Sequence, residues 1–166
     1  MKRPEIRIII LSTIAIIICT ALILTQRPKP KVEFVVFSPQ QLGEIYCMAH
    51  AVYHEARGEP IAGQIAVAYV VKNRMKDKKY PNDACATVYQ AKQFTDIKST
   101  NPDVDSQAWD LAVKNAQKAY FGIVPDPTKG AKYYYAPKKV KTPKWAKYKQ
   151  YAINIGNHKF FNLSKE

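Results

Sequence analysis

The sequence contains few glycines, few cysteines and few acidic residues. Its 166 residues include 6 Gly, 3 Cys and 13 Asp plus Glu. So little glycine, together with only 11 Pro, excludes a collagen-like or low-complexity chain. Three cysteines are too few for a small domain held together by several disulfides. Hydrophobic residues make up 47% of the chain, which excludes wholesale disorder. The composition therefore predicts one globular domain of ordinary size plus an additional segment.

One long hydrophobic run lies near the N-terminus. Residues 8–25 form 18 positions without a charge. At about 1.5 Å per helical residue they span roughly 27 Å, which is close to the hydrocarbon thickness of a bilayer. Basic residues lie on both sides of the run, and those before it favour a cytoplasmic N-terminus. We predict a membrane anchor or uncleaved signal at residues 1–25, a linker at residues 26–39 and the globular domain at residues 40–166. A cleaved secretory signal is the alternative.

The charge balance limits the partners of that domain. The chain carries 26 Lys plus Arg and a formal net charge of +13, of which +8 remains when residues 1–31 are set aside. Such a surface suits nucleic acid, an anionic membrane or an anionic wall polymer, or simply keeps the domain soluble. Export and the lack of a recognisable nucleic-acid-binding motif argue against nucleic acid. We expect a monomer in the cell envelope, outside the inner membrane, or a secreted protein if the signal is cleaved.

Two of the three cysteines lie in the predicted domain. Cys19 belongs to the hydrophobic run, whereas Cys47 and Cys85 follow it. In an oxidising compartment such a pair suggests one disulfide. On the chain-entropy argument, closing a loop of about 39 residues stabilises a fold by roughly 4 kcal/mol. Two separate buried thiols are the alternative.

The spacing of apolar residues predicts a mostly helical α+β fold. Helical periodicity marks residues 40–56, residues 60–75 and residues 104–119. We expect Gly58 to end the first of these helices in a left-handed or strained turn, and Gly122 to end the third. The second helix is apolar all round, so we expect it to be central and buried. Residues 132–135 are predicted to form a strand that pairs with Phe160 and Phe161.

Two glutamates at the end of the first helix are candidate catalytic acids. Glu55 falls in its last turn, at the flank of the apolar face, where partial desolvation would raise the pKa of a carboxyl group. Glu59 follows across a glycine turn, near the start of the next helix, where an ionised carboxylate is favoured. A protonated and an ionised carboxyl together suit acid–base cleavage of a glycosidic bond.

The histidines offer a different chemistry. His50 and His54 are four residues apart on one helical face, a spacing that can hold Zn²⁺, and His158 is the third histidine. Glu55 follows the second histidine, whereas in the metalloprotease pattern the glutamate follows the first. A zinc-dependent wall peptidase is therefore an alternative function. Our preferred prediction uses neither a metal nor a cofactor.

Four motifs resemble the SleB-type cell-wall hydrolases, the spore-cortex-lytic group. The first is E-A-R-G-E-P with the following G-Q and N-R, and the second is P-N-x-x-C-x-x-V-Y-Q. The third is Q-F and the fourth is D-P-T-x-G-A-x-x-Y. They occur in the family's order between Leu42 and Phe161. The resemblance implies a lysozyme-like or lytic-transglycosylase-like fold and cleavage of peptidoglycan between N-acetylmuramic acid and N-acetylglucosamine. It also implies that Glu55 is the catalytic acid/base.

The mechanism that follows from these residues needs one carboxyl group. Glu55 protonates the glycosidic oxygen and then, in a transglycosylase, removes a proton from the muramoyl C6 hydroxyl. Hydrolysis would need a second group, with Glu59 or Asp96 as candidates. Amide, hydroxyl and aromatic side chains suit sugar binding, and the candidates are Gln93, Phe94, Thr95 and Tyr134. Family members often have serine and tryptophan after Q-F, where this chain has Thr95 and Asp96. A non-catalytic peptidoglycan-binding module is the remaining alternative.

Overall fold

The computed structural model describes residues 13–22, 36–90, 94, 101–104 and 106–162. The chain divides into two compact units, Met1–Val36 and Phe37–Glu166. In the first unit, residues 13–22 are helical, and the rest of the predicted membrane run lies outside the described residues. Within the described part of the chain, no helix is both long enough and apolar enough to cross a membrane.

The first helix of the second unit, α1, spans Pro39–Ala56 and carries Glu55 in its last turn. It begins where the sequence predicts, because Ser38 and Gln41 form a capping box: the Gln41 N–H donates to Ser38 Oγ at 3.2 Å and the Ser38 N–H donates to Gln41 Oε1 at 2.9 Å. The helix also ends as expected, but of the two predicted conformations for Gly58, the left-handed one is wrong. Gly58 has no positive φ, and the Glu59 N–H instead closes the turn onto the Ala56 carbonyl at 2.8 Å.

Three further α-helices follow among the described residues of this unit. Helix α2 spans Ile61–Met75, α3 spans Ala84–Val88 and α4 spans Gln107–Phe121. As predicted, α2 is buried along most of its length. Helix α4 begins later than its periodicity suggests because Ser106 caps it, with Ser106 Oγ accepting from the Trp109 N–H at 3.2 Å. Gly122 ends α4 at φ +69°, which confirms the predicted glycine stop.

A three-stranded antiparallel sheet follows the helices. Its strands are β1 (Tyr133–Tyr135), β2 (Gln150–Ile155) and β3 (His158–Asn162), in the order β1–β3–β2. Tyr134 lies opposite Phe160, which confirms the predicted pairing of these two segments. Strand β2 and the 3₁₀ helix Lys144–Tyr148 before it have no counterpart in the sequence prediction.

Two hydrophobic clusters hold the unit together. The larger one joins the four helices and includes the fully buried Met48, Val52 and Val67. The smaller one joins α2 to the sheet through four buried residues, which are Ala66, Val70, Ala131 and Phe160. A disulfide between Cys47 and Cys85, with a Cα–Cα distance of 5.0 Å, connects α1 to α3 and confirms the predicted pairing. The helices and the sheet therefore meet through α2.

Candidate active site

A cleft of about 730 Å³ lies between the end of α1 and the sheet. Glu55 and its neighbour Tyr53 line one side, and Tyr134 and His158 from the sheet line the other. Arg74, near the end of α2, also lines it. The end of helix α1 and the sheet therefore meet around Glu55.

The carboxyl group of Glu55 is held by a tyrosine from the opposite wall. Glu55 is half-buried in the last turn of α1, and the Tyr134 hydroxyl is hydrogen-bonded to it. Burial raises the pKa of Tyr134 well above its usual value, and the nearby Glu55 carboxylate raises it further. Tyr134 therefore stays a neutral hydrogen-bond donor over the whole physiological range. Its hydroxyl fixes the orientation of the carboxyl group across the cleft.

Arg74 places a positive charge close to the same pair. Its side chain is only 4% exposed, and its Nε donates to the Lys132 carbonyl at 2.8 Å. Its guanidinium carbon lies 5.2 Å from the centre of the Phe94 ring. Burial lowers the pKa of Arg74, whereas attraction to Tyr134 and Glu55 raises it. The guanidinium group of Arg74 therefore lies close enough to Glu55 and Tyr134 to interact with both.

Glu59, the second predicted catalytic glutamate, occupies a different environment and does not line the cleft. Its Oε2 accepts from the Asn157 N–H at 2.8 Å and its Oε1 accepts from Asn157 Nδ2 at 3.0 Å. His158 Nδ1 lies 3.9 Å from Oε2. Gly156 has φ +58°, and a Cβ there would approach Glu59 Oε2 to 2.1 Å. Glu59 therefore holds the turn between β2 and β3, next to the cleft residue His158.

The pKa of Glu59 makes this contact sensitive to acid. Burial alone would raise the pKa, but the two Asn157 hydrogen bonds and the nearby His158 leave it lowered from 4.5. A carboxylate with a lowered pKa stabilises the fold above its unfolded pKa, and the contribution is lost as the pH falls through the folded value. The stabilisation by Glu59 should therefore be complete at neutral pH, begin to decrease near pH 4.5 and be lost as the pH falls through the lower pKa of the folded protein.

We predict that Glu59→Gln destabilises the protein at neutral pH and flattens its pH dependence in acid. The amide can accept only one of the two Asn157 hydrogen bonds, and losing a charge-assisted bond costs about 1–3 kcal/mol. Thermal unfolding measured from pH 3 to pH 7 should show the two proteins converging at the acid end. Parallel stability curves over that range would contradict the assigned contact.

The predicted sugar-binding residues are only partly placed. Gln93, Thr95 and the alternative second carboxylate Asp96 lie outside the described residues. Phe94 is 5% exposed and belongs to the larger hydrophobic cluster, where it supports Arg74. It is not among the residues that line the cleft. Its contact with sugar stays a prediction, as does stacking by Tyr134, whose hydroxyl is engaged by Glu55.

The histidines lie in two places, with His50 and His54 packed together on α1 and His158 on β3. His50 is buried, with Nδ1 3.2 Å from the Tyr89 hydroxyl, and its ring packs edge-on against His54 at 4.7 Å. Burial lowers the pKa of His50, and repulsion from His54 adds to this. His158 is buried beside Tyr134, with their ring centres 5.2 Å apart. Among the residues that the structure describes, no three His, Cys, Asp or Glu side chains are grouped to hold a metal ion.

The cleft also includes residues that sequence reasoning missed. Asn101 and Asp103 line it from the loop before α4, and Lys139 lines it from the segment after β1. The backbone N–H of Asp103 donates to the Tyr53 hydroxyl at 3.4 Å. Within the described part of the chain, Asp103 supplies the second carboxyl group of the cleft. No motif marks these positions, because they are brought to Glu55 only by the folding of distant segments.

The chain is similar to a set of proteins that act on bacterial cell walls. A family model described as Cell Wall Hydrolase matches residues 58–161. The spore cortex-lytic enzyme of Bacillus cereus is 35% identical over 119 residues, which are 70% of this chain and 43% of that protein. The enzyme of the same name from Bacillus subtilis is 32% identical over 119 residues, 70% of this chain and 37% of that protein. The chain thus spans less than half the length of these relatives.

Two solved structures have the same fold. The catalytic domain of the germination-specific lytic transglycosylase SleB from Bacillus anthracis is 31% identical, with a TM-score of 0.62, and the match covers 82% of this chain and 100% of that one. The catalytic domain of the Bacillus cereus SleB protein is 32% identical, also with a TM-score of 0.62, and the match covers 81% of this chain and 98% of that one. The helix-rich α+β architecture is therefore that of these catalytic domains.

Proposed function

This chain belongs to the cell wall hydrolase family, and from that premise we propose that it cleaves the glycan strands of peptidoglycan as a lytic transglycosylase. The bond cut is the one between N-acetylmuramic acid and N-acetylglucosamine. The solved domains of the same fold, one of which is called a lytic transglycosylase, support this choice. The proposed substrate is the polymer itself, bound along the cleft between α1 and the sheet.

The observation that carries the proposal is the half-buried Glu55 in a cleft of about 730 Å³, hydrogen-bonded to Tyr134 and close to the buried Arg74. As general acid, Glu55 donates its proton to the glycosidic oxygen while positive charge develops at the anomeric carbon. Tyr134 and Arg74 then stabilise the carboxylate that remains. That carboxylate next accepts the proton of the muramoyl C6 hydroxyl, whose oxygen attacks the anomeric carbon and closes the anhydro ring. The proton returns to Glu55, so no water is consumed.

A hydrolase would require a second group to activate water. Glu59 is engaged by Asn157, and Asp103 is the other carboxyl group among the described cleft residues. The transglycosylase route needs no such partner, and we adopt it for that reason. We further propose that the domain acts in the cell envelope, outside the cytoplasmic membrane, with residues 8–25 as its anchor.

Mass analysis of peptidoglycan digests tests the reaction type. The full chain, incubated with purified sacculi, should release fragments ending in anhydromuramic acid, which are lighter by one water than the reducing-end fragments that a hydrolase produces. Reducing ends in place of anhydro ends would replace the transglycosylase with a hydrolase. Free stem peptides with intact glycan would overturn glycan cleavage and favour a peptidase.

A further inference from the structure

The C-terminal quarter of the chain has a one-sided charge. Residues 127–165 contain ten lysines and neither Asp nor Glu. Six of these lysines fall within residues 137–149, the segment between β1 and β2, which we call the lysine strap. They are Lys138, Lys139, Lys141, Lys144, Lys147 and Lys149. Concentrating like charges in a short segment is unfavourable unless a partner of opposite charge is available.

Aromatic contacts fix the strap to the sheet. The Trp145 ring lies 5.6 Å from the ring centre of Tyr133 and 5.5 Å from that of Phe161. Lys149 Nζ lies 4.5 Å from the ring centre of Tyr133, a cation–π contact that holds the end of the strap. Pro137 and Pro143 restrict the backbone further. The strap is therefore an anchored scaffold, not a freely moving basic tail.

Among the residues that the structure describes, none forms an ion pair with a strap lysine. All of the strap lysines except Lys149 are exposed. Among the described residues, the ion pair made by a lysine or arginine is Lys132–Asp77, which lies outside the strap. Lys144 and Lys147 are three residues apart in a 3₁₀ helix, a spacing that places both on one side. Lys138 and Lys141 continue the same interval of three along the chain.

The strap begins at the rim of the cleft. Ala136, directly before it, and Lys139 and Val140 within it line the cleft that contains Glu55. A polymer lying in the cleft would therefore leave it across the strap. Lys139 also acts on the residues beside the cleft. Burial is the main cause of the lowered pKa of His158, and the charge of Lys139 adds to it. The same charge helps to lower the pKa of Glu59.

We propose that the lysine strap binds the carboxylates of the peptide stems carried by the glycan strand. This inference rests on the proposed function, since it assumes that peptidoglycan occupies the cleft. The sugar backbone itself offers hydroxyl and acetamido groups, whereas the negative charges that travel with it are carboxylates on the stems. Because those stems repeat along the glycan strand, a fixed row of lysines at the end of the cleft would bind several stem carboxylates at the same time. The strap thus favours stem-bearing glycan over bare glycan.

The test compares two variants that remove equal charge. One changes four exposed strap lysines, Lys138→Gln, Lys141→Gln, Lys144→Gln and Lys147→Gln. The matched control changes four exposed lysines elsewhere, Lys76→Gln, Lys78→Gln, Lys79→Gln and Lys114→Gln. Both are made in the full chain with Glu55→Gln, so that the polymer is not digested during the measurement. Binding is measured by co-sedimentation with untreated sacculi, with sacculi whose stem carboxylates have been converted to amides by a carbodiimide and excess ammonia, and with sacculi stripped of phosphate polymers.

The strap variant should bind stem-bearing sacculi about tenfold more weakly than its parent, because several individually weak ion pairs act together. The control should keep the parent's binding, and the difference should shrink at high salt. Converting the stem carboxylates to amides should weaken binding by the parent to the level of the strap variant. Equal binding by the strap variant and the control would overturn the inference. It would also be overturned if the parent lost binding only when the phosphate polymers were stripped, because the strap would then bind those polymers and not the stems. A wild-type chain that releases no glycan fragments would refute the proposed function instead, whichever way the binding comparison falls.

Discussion

Glu55→Gln should lower the rate of peptidoglycan cleavage by about 10²- to 10⁴-fold, the range expected when a general acid is removed. The amide keeps the size of the side chain and can still accept a hydrogen bond from Tyr134, but it has no acidic proton to give. The loss should therefore appear in the chemical step, with binding to sacculi little changed. The measurement is the rate of release of soluble glycan fragments, alongside thermal unfolding to show that the variant is folded.

Tyr134→Phe provides a graded comparison for the same site. It keeps the ring that packs on His158 and Phe160 but removes the hydroxyl bonded to Glu55. If Tyr134 only positions the carboxyl group, the rate of cleavage should fall by less in Tyr134→Phe than in Glu55→Gln. The pH dependence of that rate should also change in Tyr134→Phe. Tyr151→Phe is the matched control, since that tyrosine is 52% exposed and lies outside both the cleft and the lysine strap. Normal cleavage by a folded Glu55→Gln protein would eliminate the proposed mechanism.

Removing the disulfide should produce the largest change in stability. The bond joins residues 38 apart, and constraining a loop of that length in the unfolded chain corresponds to about 4 kcal/mol on the chain-entropy model. The double variant Cys47→Ala with Cys85→Ala should therefore unfold at a much lower denaturant concentration. Because Cys47 is 5% exposed in the core, alanine avoids burying a new hydroxyl group.

Reductant supplies the control for this prediction. Wild-type protein in reductant should match the double variant, and the double variant itself should not respond to reductant. Cys19→Ala, which alters the exposed free cysteine, should leave the denaturation midpoint unchanged. A wild-type protein with the same midpoint before and after reduction would show that the bond contributes nothing to stability.

The helices and the position of Glu55 were predictable because they depend on local signals. Ser38 and Pro39 mark the start of α1, and apolar periodicity carries the helix through Ala56, so the place of Glu55 follows directly. Gly122 is required in a left-handed conformation and so marks the end of α4. Gly58 carries the same sequence signal without that conformation, since a backbone turn onto Ala56 suffices.

The surroundings of Glu55 depend on long-range packing and were only partly predictable. The family motif identifies Tyr134, but the sequence suggests sugar stacking, whereas the hydroxyl contact to Glu55 requires the sheet to face the end of α1. Arg74 falls in the helix that the sequence predicts to be central and buried, and nothing in that position indicates that it lines the cleft. Glu59 looks like a catalytic partner from its position four residues after Glu55, and only the pairing of β2 with β3 brings Asn157 to it.

The joint between helices and sheet has a consequence for how the protein would fail under stress. The helices pack in the larger hydrophobic cluster, whereas the sheet that carries Tyr134 is joined to helix α2 through the smaller cluster of Ala66, Val70, Ala131 and Phe160. Partial opening of the strands would withdraw the tyrosine hydroxyl while the helical bundle stayed intact. On heating, loss of activity should therefore precede loss of the helical circular dichroism signal, so the protein would become inactive before its helices unfold.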